Sequence, residues 1–72
     1  MDHTEYYKRL GANIAYYRKL CEINQEQAAE LAGISYRYWS DIENGKKNPG
    51  LDKVFNIATA LGVDIAQLFE KH

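Results

Sequence analysis

The sequence of 72 residues has one cysteine, Cys21, and two histidines, His3 and His72, which lie at opposite ends of the chain. A single thiol cannot form an internal disulfide, and no grouping of His, Cys and carboxylate residues has the spacing of a metal site or a catalytic pocket. No apolar run approaches the roughly 18 to 20 residues of a membrane span, and the first residues lack the apolar stretch of a signal peptide. These absences predict a cytoplasmic protein that is not an enzyme and that binds no metal, cofactor or membrane.

The chain also lacks the excess of positive charge that is common in nucleic-acid-binding domains, because its net charge is −1 and its pI is about 6.1. The only net positive stretch is residues 33–50, where three basic side chains, Arg37, Lys46 and Lys47, outnumber two acidic ones. A solvated surface of mixed charge explains this stretch as well as a binding site does. Charge alone therefore identifies no partner.

Apolar residues recur with the spacing of helix faces, and no segment alternates apolar and polar residues as a strand does. Helices are expected to begin near Thr4, after the caps Asn24 and Ser35, after Gly50, and after Asp64. The predicted apolar faces carry Leu10, Ile14, Tyr17 and the packed thiol of Cys21 in the first helix, Leu51, Val54, Phe55, Ala58 and Leu61 in the fourth, and Ile65, Leu68 and Phe69 in the fifth. The polar face of the first helix carries Lys8, Arg9, Asn13 and Lys19. The pattern predicts one all-α domain of five short helices over residues 1–72.

Residues from about 24 to 45 have the spacing of two short helices that cross over a tight turn. Such a crossing needs a small residue where the backbones meet and a glycine where the chain reverses, and Ala29 and Gly33 fill these places. Trp39 and Ile42 then point into the core. The outward face of the third helix is left with side chains that have no packing role, namely Ser35, Tyr36, Arg37, Ser40 and Asp41.

The runs NQEQAAELAGIS at residues 24–35 and WSDIENGK at residues 39–46, followed by Asn48-Pro49, resemble the helix-turn-helix family of phage repressors, Cro proteins and related XRE-type regulators. The similarity extends from about Leu10 to Val63. It implies a five-helix, lambda-repressor-like DNA-binding domain in which helices 2 and 3 form the helix-turn-helix and helix 3 enters the major groove.

The resemblance also assigns roles by position. Base contacts would come from Ser35, Tyr36, Arg37 and Asp41. Arg37 suits guanine, whereas Asp41 would either accept from a cytosine amino group or simply orient Arg37. Phosphate contacts would come from Gln25, Asn44, Lys46 and Lys47.

Arg18 and Glu43 match a pair in this family, in which an acid near the end of the third helix meets an arginine of the first. The chain departs from the family pattern at two positions, because Ala28 stands where Leu is usual and Trp39 where Ile or Val is usual. A small and a large residue thus exchange volume, which predicts that Trp39 is buried against Ala28 and Ala32.

We therefore expect a sequence-specific transcription regulator that binds a palindromic operator in double-stranded DNA as a homodimer. Of the two modes of regulation, repression is the one we expect. Candidate dimer contacts are Val63, Ile65, Leu68 and Phe69, because so short a last helix cannot bury them all. The alternative is a protein-interaction domain on the same scaffold, such as an antitoxin or repressor-partner module. The acidic pI and six tyrosines favour this alternative, whereas the cations at phosphate-facing positions favour DNA.

Overall fold

The computed structural model describes residues 3–71, so that His72 lies outside the described part. Four α-helices and one short 3-10 helix are present there, and residues 3–71 contain no β-strand. The elements are α1 (Thr4–Leu20), α2 (Gln25–Ala32), α3 (Tyr36–Glu43), α4 (Leu51–Leu61) and a C-terminal 3-10 helix (Ile65–Phe69). The all-α prediction is confirmed. The fifth predicted α-helix is wrong, because the last element is five residues long and winds as the tighter 3-10 form that short segments favour.

The predicted starts of α2 and α3 are fixed by side-chain caps. Asn24 and Gln27 form a reciprocal capping box, in which the Gln27 N–H donates to Asn24 Oδ1 at 2.7 Å and the Asn24 N–H donates to Gln27 Oε1 at 2.9 Å. Ser35 Oγ accepts from the Tyr38 N–H at 3.1 Å. Gly33 ends α2 with a φ of 71°, a left-handed conformation that favours glycine. The α2–α3 connection is therefore short and locally determined.

The core lies where α1, α2, α3 and α4 meet. Trp39 is fully buried there, and Ala28 and Ala32 belong to the same buried cluster, so the predicted burial of Trp39 is confirmed. In α4 the prediction was only partly correct, because Ile57 is buried whereas Leu51 and Phe55 are exposed. Helix α4 has apolar residues around more than half of its circumference, and its packing against α2 selects the stripe of Val54, Ile57, Ala58 and Leu61.

Three further predictions from the sequence are wrong. Leu68 is fully buried in the monomer and cannot contribute to a dimer surface. Cys21 is exposed rather than packed, because it follows the last turn of α1 and its thiol lies 3.5 Å from the Leu61 carbonyl oxygen. Asn13, expected on the polar face of α1, is buried and donates from Nδ2 to the carbonyl oxygens of Leu68 at 2.8 Å and Glu70 at 2.7 Å. Asn13 therefore attaches the C-terminal segment to the middle of α1.

Helices α1 and α3 lie in close contact at Gly11, in the interior of α1. A β-carbon at this position would overlap the carbonyl oxygen of Ile42 and lie 2.6 Å from that of Glu43. Glycine costs a helix interior about 1 kcal/mol relative to alanine, so its presence here calls for such a packing reason. The backbone of α1 thereby contacts the end of α3 directly.

Candidate nucleic-acid interface

The exposed face of α3 begins at its first turn. The Arg37 side chain is 89% exposed and Tyr36 is about half exposed, whereas Trp39 and Ile42 on the opposite face are buried. Arg37 Nε lies 3.8 Å from Asp41 Oδ2, one turn further along the helix. The predicted pairing of Asp41 with Arg37 is therefore present. Because Arg37 remains so exposed, this weak pair leaves the guanidinium able to reach a ligand.

A shallow surface pocket separates the start of α2 from the start of α3. Its volume is about 320 Å³, and it is lined by Arg18, Asn24, Gln25, Glu26 and Tyr36. The first two amides of α2, those of Gln25 and Glu26, have no acceptor within the helix, as at every helix start. The pocket therefore combines hydrogen-bond donors at the positive end of α2 with the first exposed ring of α3.

Glu43, the last residue of α3, accepts four hydrogen bonds from three helices. Arg18 of α1 donates from Nε at 2.6 Å and from Nη2 at 3.3 Å, and Gln25 of α2 donates from Nε2 at 2.8 Å. Trp39 completes the set with its indole N–H at 2.5 Å, and Arg18 also donates to the Ile23 carbonyl oxygen. The Arg18 and Glu43 side chains are only 12% and 5% exposed. The predicted Arg18–Glu43 pair is present, whereas the two additional donors, Gln25 and Trp39, were not predicted.

The pKa of Glu43 is set by two opposing influences. Burial is the largest single one and would raise the pKa of this carboxyl. Hydrogen bonds from Arg18, Gln25 and Trp39 act in the other direction, as does the Arg18 charge. Together they outweigh burial and lower the pKa of Glu43 below its ordinary value. The carboxylate is therefore ionised at neutral pH and holds α1, α2 and α3 together as an anion.

We expect the free energy of unfolding to fall on acidification because of this group. The pKa of Glu43 is lower in the folded protein than in the unfolded chain, where it is about 4.3. The resulting stabilisation is complete above that pH and is lost as the pH falls through the folded value. Urea unfolding at pH values from 7 to 3 measures this loss. Because other acids titrate in the same range, the control is Glu43→Gln, and parallel curves for the two proteins would contradict the expectation.

The residues beyond α3 form an exposed loop with positive charge. Asn44, Lys46 and Lys47 are all exposed, and Gly45 between them has a φ of 72°. The Lys46 N–H donates to the Asp41 carbonyl oxygen at 2.8 Å, which ties the loop to the end of α3. Of the predicted base-contacting residues, Ser35, Tyr36 and Arg37 lie at the start of α3 and Asp41 lies one turn further along. The Gln25 side chain reaches Glu43, the last residue of α3, and the loop group lies beyond that residue.

Two residues that position this surface were missed by the sequence analysis. Gly11 sets the distance between α1 and α3, and its only signal was a glycine inside a helical pattern. Asn13 had no signal, because its two carbonyl acceptors lie more than 50 residues away along the chain. In residues 3–71 no group of His, Cys, Asp and Glu side chains could hold a metal ion. No helix of the described chain has the length and apolar character needed to cross a membrane.

Comparison with known proteins shows which proteins share this sequence pattern and this fold. A family model described as Helix-turn-helix matches residues 14–68. An uncharacterised HTH-type transcriptional regulator of Methanocaldococcus jannaschii is 39% identical, over 78% of this chain and 85% of its own length. The control protein C.MunI of a Mycoplasma species is 34% identical, over 85% and 84% respectively. The crystal structure of the restriction-modification controller protein C.AhdI from Aeromonas hydrophila superimposes with a TM-score of 0.92 at 29% identity, covering 96% of this chain and all of that one.

Proposed function

The chain belongs to the helix-turn-helix family, and from that premise we propose that it regulates transcription by binding double-stranded DNA. In this proposal residues 1–72 form one DNA-binding domain. The helix-turn-helix runs from about residue 24 to residue 45, and α3 enters the major groove with its first turn against the base edges. The observation that carries the proposal is the exposure of two neighbouring residues, Tyr36 and Arg37, in the first turn of α3. The opposite face of this helix is fixed in the core by Trp39, Ile42 and Glu43.

Base readout is assigned to the start of α3. Arg37 can donate two hydrogen bonds to O6 and N7 of one guanine, which contributes roughly 1 to 3 kcal/mol of discrimination. Tyr36 offers a hydroxyl and a ring edge that suits thymine methyl groups, and Ser35 lies next to it. Asp41 acts on Arg37 from 3.8 Å away and so favours one orientation of the guanidinium. The four residues divide into three that meet the bases and one that orients.

Phosphate contacts are assigned to the start of α2 and to the loop that follows α3. Gln25 lies at the positive end of α2, and its Nε2 already donates one hydrogen bond to Glu43. The Glu43 carboxylate thereby fixes the amide group and leaves its second N–H for a phosphate oxygen. Asn44, Lys46 and Lys47 bind the backbone on the other side of the groove. These contacts fix the register on DNA without reading its sequence.

Exposed apolar side chains near the C-terminus support a homodimer. Of the predicted dimer contacts, Phe69 is half exposed, and Val63 and Ile65 are partly buried against the core. With Leu68 removed from the set, Phe69 becomes the central candidate. A symmetric pair of domains would place two α3 helices about 34 Å apart, one turn of DNA, on a palindromic operator. Occupation of such a site represses transcription where it blocks polymerase.

Selection of bound sites from a pool of random duplexes tests the function. We expect a palindrome whose half-site centres are one helical turn apart, with a guanine at the position read by Arg37. Repeating the selection with Arg37→Ala should relax the preference at one symmetric position. Lys46→Ala, as the matched phosphate variant, should weaken binding to all sequences alike and make the salt dependence shallower by about one per protomer. Enrichment of no duplex would favour the protein-interaction alternative.

A further inference from the structure

The loop beyond α3 packs against the first turns of α1 at Gly45. A β-carbon on Gly45 would lie 2.8 Å from Lys8 Cγ and 3.1 Å from Lys8 Cα. The main chain of Gly45 is therefore in van der Waals contact with the backbone and the stem of Lys8. No other residue type would be free of strain here, because Gly45 has a φ of 72°. The Lys8 side chain thus leaves α1 directly beside the loop that carries Asn44, Lys46 and Lys47.

The position of Lys8 is rigid. Gly11, one turn further along α1, lies against the carbonyl groups of Ile42 and Glu43 at the end of α3. Two successive turns of α1 are therefore held by α3 and by the loop that follows it. The backbone and the Cγ of Lys8 therefore stay beside the loop whenever the domain is folded, so that its ammonium group lies within the reach of one side chain from the loop.

The charge of Lys8 is available to a ligand. Two ion pairs occur in residues 3–71, Arg18–Glu43 and Arg37–Asp41, and neither involves a lysine. Lys8, Lys46 and Lys47 are all exposed. Arg9, the next residue along α1, is instead engaged over the ring of Tyr6, with 5.7 Å between its guanidinium carbon and the ring centroid. Lys8 is therefore the cation of α1 that extends the positive loop.

We propose that Lys8 is a third phosphate-binding lysine, which acts with Lys46 and Lys47 on the same DNA strand beyond the end of α3. The proposal rests on the proposed function and adds to it a contact from α1. Three ammonium groups from two separate elements would form one basic cluster, fixed by the Gly45–Lys8 contact. Such a cluster binds the DNA backbone irrespective of sequence.

The test is the salt dependence of binding to a mixed-sequence 30-base-pair duplex, measured by fluorescence anisotropy between 50 and 200 mM salt. Each phosphate contact contributes about 0.9 to the slope of log affinity against log salt concentration. For each protomer, Lys8→Gln should make the slope shallower by about one and weaken binding roughly five- to tenfold near 0.1 M salt. Lys8→Arg should restore both the slope and the affinity.

The matched control is Lys19→Gln. Lys19 lies on the same helix eleven residues later, which places it within about 20° of the same face but about 16 Å away along the axis. The Lys19→Gln substitution removes the same charge from the other end of α1, far from the loop. If both glutamine variants keep the wild-type slope, or both reduce it equally, the contact at Lys8 is disproved while DNA binding stands. If the unmodified protein binds this duplex without salt dependence, or binds neither this duplex nor any duplex of the random pool, the proposed function fails, and this inference fails with it.

Discussion

Arg18→Met is expected to lower the free energy of unfolding by about 3 to 5 kcal/mol. The substitution removes both donors that Arg18 supplies to Glu43 and leaves a carboxylate that is only 5% exposed beside two neutral donors. Burial of an uncompensated charge is the main cost, because the Met side chain fills much of the same space. In a domain of this size the loss corresponds to a fall in Tm of more than about 12 °C, which differential scanning calorimetry measures directly.

The matched experiment removes both charges. Arg18→Met combined with Glu43→Leu should be more stable than Arg18→Met alone, because no ion is left in the core. Glu43→Leu alone should be the least stable of the three, since it leaves a guanidinium, the Trp39 indole N–H and the Gln25 amide without their acceptor. An unchanged midpoint for Arg18→Met, or strictly additive losses in the double variant, would show that the pair contributes little.

Gly11→Ala is expected to destabilise the protein by about 3 kcal/mol, at the upper end of the range for overpacking. Its β-carbon would overlap the carbonyl oxygens of Ile42 and Glu43, which are backbone atoms and cannot rotate away. Helices α1 and α3 would have to separate. In a solvent-exposed helix the same change stabilises by about 1 kcal/mol, so the sign of the effect is the test.

Ala12→Gly is the control for this substitution, because Ala12 is the next residue of α1 and is exposed. It should cost about 1 kcal/mol through helix propensity alone. Urea unfolding of the two variants and the parent protein gives the comparison. A Gly11→Ala protein as stable as the parent, or more stable, would mean that the helices accommodate the methyl group and that the close approach is not required.

The features that the sequence predicted correctly depend on neighbouring residues. The Asn24–Gln27 capping box and the Ser35 cap each connect atoms three residues apart, so their chemistry is visible in the sequence itself. Gly33 was predicted as the glycine at which the chain reverses after α2, and it ends that helix. Burial of Trp39 followed from a departure at one position that Ala28 compensates at another.

The features that it did not predict depend on which helices meet. Asn13 is polar, and its burial is understandable only once the C-terminal carbonyl groups are placed beside it. In α4 the apolar positions were too numerous to define one face, and Ile57 was buried where Phe55 had been expected. In the candidate site, the Gln25 and Trp39 donors to Glu43 come from side chains 18 and 4 residues away, and only the crossing of α2 and α3 brings Gln25 within reach.

The convergence of three helices on Glu43 has a consequence for how such a regulator can change its target during evolution. The relative angles of α1, α2 and α3 are held by one buried carboxylate, while Arg37 is almost wholly in solvent and Tyr36 is half exposed. Substitutions at exposed positions usually change stability by no more than about 0.5 kcal/mol. Residues 36 and 37 can therefore diverge among descendants of this chain at little cost in stability. Under the proposed function, such descendants would recognise new DNA sequences while keeping the same buried core.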